Sequence, residues 1–383
     1  MKSFKSIIIQ RIKLINTIAA ALILVCGCNG YERNENQGEE ASKALYILNE
    51  GSMGENNASL SCLNLESGNL SEDLYAPING TPLGDVANDI IVTEKYIIIA
   101  INASNIIEFC SHNGKHIAGI EAVPACRKLA VDPAEKNLFV TSWANGGEVV
   151  KLDLENFSVK ARVKVGYEPE GIAYYNGRLY VANSGGNAYL GDHGYEKSIS
   201  VVDAASMREI KRVDTGMMNL YGAFVQNDKY PQYLLVNACG DYGANPAGSF
   251  IFDCENERLV ESFNFPSTYA AVHEGIFYTM GSNYDWASNN FNWYIKTINI
   301  NASGSAQGSA SVSISDGIIS DELTGTIKSL ISPYGIHIDN QGKVYLTDAV
   351  DYKNRGLLYR FDKEGRFIDK QIAGVCPGHF AEK

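Results

Sequence analysis

The stretch 166–203 contains a strand-turn-strand phrase that the chain repeats from end to end, and such repetition limits the available folds more than any local propensity does. Within it, an apolar run (171–174) leads into Asn176-Gly177, a β-rich run (178–183), a long Gly/Asn/Tyr loop and a third run (199–202) closed by Asp203. Asn-Gly between alternating apolar residues is a strong hairpin signal, because both turn positions must accept positive φ. Apolar runs of the same kind begin at Asp89, Lys128, Gly171, Gly222, Ala270, Gly335 and His379, about 40 to 65 residues apart, with the variation falling in loops. Several copies continue into a second strand (137–142, 178–183, 233–237, 342–348), and several end a third strand at Asp153, Asp203, Asp253 or Asp362.

Repeats of this length, each supplying four short strands, predict an all-β chain folded as a seven-bladed β-propeller. The copies at the two ends are incomplete and complementary. Residues 45–50 read as a second strand and 377–383 only as a first strand, so pairing the C-terminal strand with the N-terminal blade closes the ring and removes exposed sheet edges. The expected blades are 45–75 with 377–383, then 83–120, 123–165, 167–213, 218–264, 266–315 and 331–373. A Ser/Gly-rich insertion (301–315) reads as an outer loop or extended hairpin of the sixth. The 36 Gly and 22 Tyr suit many tight turns and strands, and helical periodicity is nearly absent after the first thirty residues.

Residues 1–27 read as a targeting segment to be set aside from the fold. Lys2, Lys5, Arg11 and Lys13 precede an apolar run (15–25), which is short of the ~20 residues a membrane span needs. Its end, Val25-Cys26-Gly27-Cys28, resembles a bacterial lipobox, which implies Cys28 as the lipidated residue. Residues 28–44 form a polar, acidic tether ahead of the propeller at 45–383. A net charge of −12 without Lys/Arg clusters argues against nucleic acid as a partner. The remaining cysteines (Cys62, Cys110, Cys126, Cys239, Cys254 and Cys376) fit disulfides or buried thiols equally well, and their spacing matches no metal knuckle.

Propeller topology places two kinds of loop on one face: those before each first strand and those between strands two and three. The first set gives an inner ring of Asp85, Asn88, Arg127, Tyr167, Glu170, Asn219, Tyr221, Tyr269, Tyr334 and His379. The second gives an outer ring holding Asn183, Tyr189, Tyr195, Tyr242, Tyr284 and Tyr352, with all three Trp of the chain: Trp143, Trp286 and Trp293. The opposite face carries plain polar turns such as Asn176-Gly177.

The phrases P-E-G-I-A-Y-Y-N-G-R-L-Y-V-A-N-S and I-S-V-V-D resemble the Tyr-Val-Thr-Asn type seven-bladed propellers over most of 45–383. With the lipobox, the acidic tether and the L-Y-I-L-N-E-G-S-M-G-E-N-N-A-S-L start, the chain resembles surface lipoproteins of gut bacteria, and among them the BtuG cobalamin-binding lipoproteins. That resemblance implies a non-enzymatic, lipid-anchored outer-membrane protein, exposed at the cell surface. It would capture cobalamin or a related corrinoid and hand it to a TonB-dependent outer-membrane transporter, touching the membrane through its anchor alone and requiring no cofactor.

Aromatic and amide side chains together suit a flat ligand with apolar faces and hydrogen-bonding edges, as a corrin is. The expected ligand-binding residues are Arg127, Trp143, Tyr167, Glu170, Asn183, Tyr189, Tyr221, Tyr242, Tyr269, Tyr284, Trp286, Tyr334 and Tyr352. Asp192-His193 and Asp351 read as loop hydrogen-bonders or structural calcium ligands. Two alternatives stand beside this reading: a divalent-metal lactonase or lyase built on Glu170, Asn88 or Asp85, Asn219 and His379, and a glycan- or protein-binding scaffold.

Overall fold

Seven four-stranded antiparallel sheets, one for each expected blade, make up the computed structural model, which describes residues 43–285, 287, 289–302, 310–316 and 320–383. The targeting segment, Cys28, nearly all of the tether, Trp286 and part of the Ser/Gly-rich insertion lie outside the described residues. Blade 1 combines β1 (Ala44–Asn49), β2 (Ser59–Asn64) and β3 (Leu70–Ser71) with the last strand, β28 (Pro377–Glu382). Blade 2 runs β4 (Ala87–Val92) to β7 (His116–Ile120), blade 3 β8 (Cys126–Val131) to β11 (Ser158–Lys164), and blade 4 β12 (Pro169–Tyr175) to β15 (Arg208–Asp214). Blade 5 runs β16 (Val225–Gln226) to β19 (Arg258–Phe263), blade 6 β20 (Tyr269–His273) to β23 (Ala310–Asp316), and blade 7 β24 (Pro333–Ile338) to β27 (Phe367–Val375).

Closure is as the sequence predicts. β28 pairs antiparallel with β1 from Leu45↔Glu382 to Asn49↔Pro377, and Phe380 stacks on His337 of blade 7 at 5.5 Å. Middle strands read as unbroken apolar runs because both of their faces are buried against neighbouring blades. Ile97, Ile99 and Ile101 pack toward Tyr46, Leu48 and Leu60 of blade 1, while the intervening Ile98 and Ala100 pack toward Val140 and Val150 of blade 3.

Local chemistry explains the recurring phrase. Asn176 and Gly177 take φ of 46° and 77°, as their hairpin requires. The Asp residues closing third strands cap the following turn: Asp153 and Asp253 each accept two backbone N–H groups, and the residue four positions on (Phe157, Glu257) is left-handed. The six cysteines of the propeller are free thiols, and burial pushes Cys110 and Cys126 up to about 12.

Three local expectations are corrected. Residues 283–285 and 290–293, expected within a loop between the second and third strands, are strand: Ile276–Asp285 (β21) and Asn290–Ala302 (β22) stay paired out to Asp285↔Asn290, because Tyr284, Phe291 and Trp293 favour continuing the ladder. The first strand of blade 5 is only Val225–Gln226, since Gly222 takes a φ of 100° that ends extended structure. A nine-residue helix joins blades 6 and 7. After the four-residue α1 (Ala76–Asn79), this α2 (Asp321–Ser329) starts at Ser320, whose side chain accepts from Leu323 N, and it buries Leu323 and Ile327 on one face. No helix among the described residues is long and apolar enough to cross a membrane.

Candidate functional site

The inner strands meet around the axis, and on the face predicted to carry function they enclose a cavity of about 720 Å³. Every blade contributes to its wall: Glu50 and His379 from blade 1, Asn88 from blade 2, Arg127 and Lys128 from blade 3 and Glu170 from blade 4. Tyr221 and Tyr242 come from blade 5, Tyr269 from blade 6 and Tyr334 from blade 7.

Two charge pairs form the floor. Arg127, second residue of β8, donates from Nε to Glu170 Oε1 at 2.7 Å, from Nη1 to Asn88 Oδ1 at 2.7 Å and from Nη2 to the Tyr221 hydroxyl at 3.1 Å. Its guanidinium lies 4.5 Å over the Trp143 ring, a contact worth about 0.5–2 kcal/mol. Burial is the largest single influence and acts to lower the Arg127 pKa, but the charges and hydrogen bonds of Glu170 and Tyr221 together outweigh it, so the guanidinium is held above its ordinary value. Glu170 is fully buried and its Oε2 has no hydrogen-bond partner. Lys128 Nζ donates to Asn88 O at 2.5 Å.

The second pair joins the two ends of the propeller: Glu50 Oε1 lies 2.9 Å from His379 Nε2, and Glu50 Oε2 accepts from the Tyr334 hydroxyl at 2.5 Å. A Cβ on Gly378 would come within 2.9 Å of the Tyr334 ring, so glycine there lets the tyrosine lie against β28. Burial pushes the Glu50 carboxyl up, but the hydrogen bond and charge of His379, then Tyr334 and Lys128, prevail and hold it below 4.5. Burial first, then Glu50, pushes the Tyr334 hydroxyl far up, and it stays a neutral donor at any physiological pH.

Because the Glu50 pKa is lowered on folding, its contribution to stability is complete above about pH 4.5 and fades as pH falls through the folded value. The stability difference between wild type and His379→Gln should therefore be largest above pH 4.5 and shrink below it. Thermal melts of both proteins from pH 3 to 7 check this, and a difference independent of pH would mean that the pair does not set the Glu50 titration.

The remaining expected ligand residues fall into three groups. Tyr242 (78% exposed) lines the cavity; Tyr352 is exposed and packs 5.7 Å from Tyr334 without lining the cavity itself, and Tyr189, on the Ala188–Leu190 turn, is as open as Tyr242 but does not line it either. Tyr167 also stands away from it, stacked on His193 at 4.1 Å, as does Tyr284, which packs on Phe291 at 5.1 Å. Asn183 is fully buried inside blade 4, where its amide donates to Ser198 and Ser200 and accepts from Gly166 N. Asp351 caps its own turn through Lys353 N and Asn354, and His193 pairs with Glu168 at 3.1 Å. Among the described residues, no three His, Cys, Asp or Glu side chains gather closely enough to hold a metal ion.

Glu50 and Lys128 are site residues absent from the expected ligand set. Glu50 lies in the loop after the second strand of its blade (49–57), which the outer ring includes, and Lys128 directly follows the inner-ring residue Arg127.

No protein-family model and no curated protein matches the sequence. Solved structures do match. The chain is similar to hydrazine synthase from Kuenenia stuttgartiensis at 15% identity, over 77% of this chain and 89% of that one, with a TM-score of 0.59. It is similar to a quinonprotein alcohol dehydrogenase-like protein from Bacteroides thetaiotaomicron at 13% identity, over 89% and 78% of the two chains, with a TM-score of 0.56. Streptogramin B lyase matches at 12% identity, over 88% and 91%, with a TM-score of 0.51. Identities this low carry the fold alone. The protein is a seven-bladed β-propeller.

Proposed function

We propose that this propeller is a binding protein that captures cobalamin or a related corrinoid at the mouth of the axial cavity. The observation that carries the reading is the lining, in which Tyr221, Tyr242, Tyr269 and Tyr334 stand over a floor whose buried charges face opposite ones. A charge-balanced floor with aromatic walls favours a neutral ligand that is apolar on its faces and polar at its edge. The cavity volume lies within the range of about 300–1,000 Å³ usual for small-molecule sites. A corrinoid would seat one edge there and rest its projecting face on the open rings of Tyr242 and Tyr352. In this reading Cys28 holds the protein on the outer membrane, facing outward, and the ligand passes to a TonB-dependent transporter.

Titration calorimetry of residues 43–383 with cyanocobalamin should give a dissociation constant at or below the micromolar range. No heat at micromolar ligand would sink the corrinoid reading. Tyr242→Ala, at a side chain the fold does not bury, should weaken binding about tenfold, whereas Asn176→Ala on the opposite face should leave it unchanged. Equal effects of the two would place the ligand elsewhere.

One observation favours a second reading, a lyase or lactonase. Glu50 fixes the His379 ring at the cavity wall, the arrangement a general base needs, and streptogramin B lyase shares the fold. Turnover of a cyclic ester that His379→Gln abolishes, without corrinoid binding, would replace the first reading by this one.

A further inference from the structure

The floor of the axial cavity contains an acceptor and a donor that the protein itself leaves unmatched. Glu170 is fully buried, its Oε1 is taken by Arg127 Nε, and its Oε2 receives nothing. A buried carboxylate oxygen without a donor is costly and is satisfied in nearly every folded protein, so its place in a cavity wall marks a position for an incoming N–H or O–H. Tyr221 supplies the converse group. Its oxygen accepts from Arg127 Nη2, and among the described residues its own hydrogen goes to no acceptor. Arg127 fixes both groups and gives an N–H of Nη1 to Asn88. The carrier of Glu170 is rigid too, because the Thr141 hydroxyl donates to the Glu170 carbonyl at 3.0 Å.

We infer that this floor is a subsite for a primary carboxamide, whose N–H donates to Glu170 Oε2 and whose carbonyl accepts from the Tyr221 hydroxyl. The inference rests on the ligand-binding reading of the cavity and deepens it. A carboxamide offers a donor and an acceptor on one flat group, which matches a fixed acceptor and a fixed donor. A carboxylate in the same place brings a second negative charge to an oxygen that already lacks a donor, and the guanidinium beside it, Arg127, is already paired with Glu170. The subsite therefore selects amide over acid. Corrinoids carry several such amides at the ring edge, and only the one reaching the floor is read.

The test compares cyanocobalamin with its monocarboxylic acids, in each of which one peripheral propionamide has become a propionate, by calorimetry at pH 7 on residues 43–383. One positional isomer should bind about 30-fold more weakly than the parent, with the others close to it. Glu170→Gln, which keeps an acceptor for Arg127, should reverse that preference. Tyr221→Phe, which keeps the ring, should cost the parent about tenfold. If the parent binds and every isomer binds equally well, or if Glu170→Gln leaves the ranking unchanged, the subsite is refuted while corrinoid capture stands. If the parent does not bind, nicotinamide and nicotinate become the probes, read by crystal occupancy at millimolar concentration. A preference for nicotinamide that Tyr221→Phe removes keeps the subsite and sinks the corrinoid reading, and no preference between the two overturns the subsite as well.

Discussion

Removing residues 377–383 should leave a protein that is recovered mainly as aggregate, with any soluble fraction melting at least 15 °C below the full propeller. The last strand is short but sits at the axis, where it pairs along the whole of β1 and brings Phe380 against His337. Its loss uncovers the edge of a strand whose six residues are all buried, a ready template for pairing between molecules. It also removes the His379 partner of Glu50, and the Lys383 backbone N–H that donates to Ala44 O. Several ladder hydrogen bonds at about 0.5–1.5 kcal/mol each, with the lost apolar burial, approach the 5–15 kcal/mol by which folded domains are stable. Soluble yield, size-exclusion profile and circular-dichroism melting of the truncated chain measure the effect. A monodisperse product melting within a few degrees of the intact protein would mean that the ring does not depend on its closing strand.

Arg127→Met should cost about 3–5 kcal/mol, which urea unfolding reads as a lower midpoint at unchanged slope. The cost comes less from the lost bonds than from what stays behind, since Glu170 would be fully buried with neither oxygen paired. Removing the second charge as well, in Arg127→Met with Glu170→Leu, should recover most of the loss, because a well-packed apolar pair matches a buried ion pair in stability. A double variant as unstable as the single one would show that the guanidinium acts through Trp143 and Tyr221 and not as the counter-ion of Glu170.

The propeller was legible because its signals are local and repeated. Asn176-Gly177 announces a hairpin, the Asp closing four of the third strands announces a turn, and the half-phrases at 45 and 377 announce closure. Elements outside the repeat were harder to read. Helix α2 has only two buried residues, Leu323 and Ile327, so its period barely registers, although Ser320 ahead of Asp321 and Glu322 is an ordinary helix start. The long hairpin of blade 6 looked like a loop because Asn and Ser interrupt its aromatics.

The site was half legible for a geometric reason. Arg127 meets Asn88 and Glu170, which lie 39 and 43 positions away, about one blade on either side. Equivalent places in adjacent blades become neighbours at the axis, so the repeat length itself foretells that cluster. Glu50 and His379 lie 329 positions apart, and only closure brings them together. The exposure of Tyr167 and Tyr284 away from the cavity had no signal in residue type, because an aromatic packed on a neighbouring ring and one that awaits a ligand are the same letter.

Joining first and last strands in one blade also sets when the cavity comes into being. Glu50 is synthesised among the earliest residues of the propeller and His379 among the latest, so a nascent chain carries an open ring of blades until residues 377–383 have left the ribosome. A half-made or prematurely terminated copy that lacks β28 has no complete wall around the axial cavity. A formed cavity is thus reserved for chains that extend through β28, enforced by chain order alone.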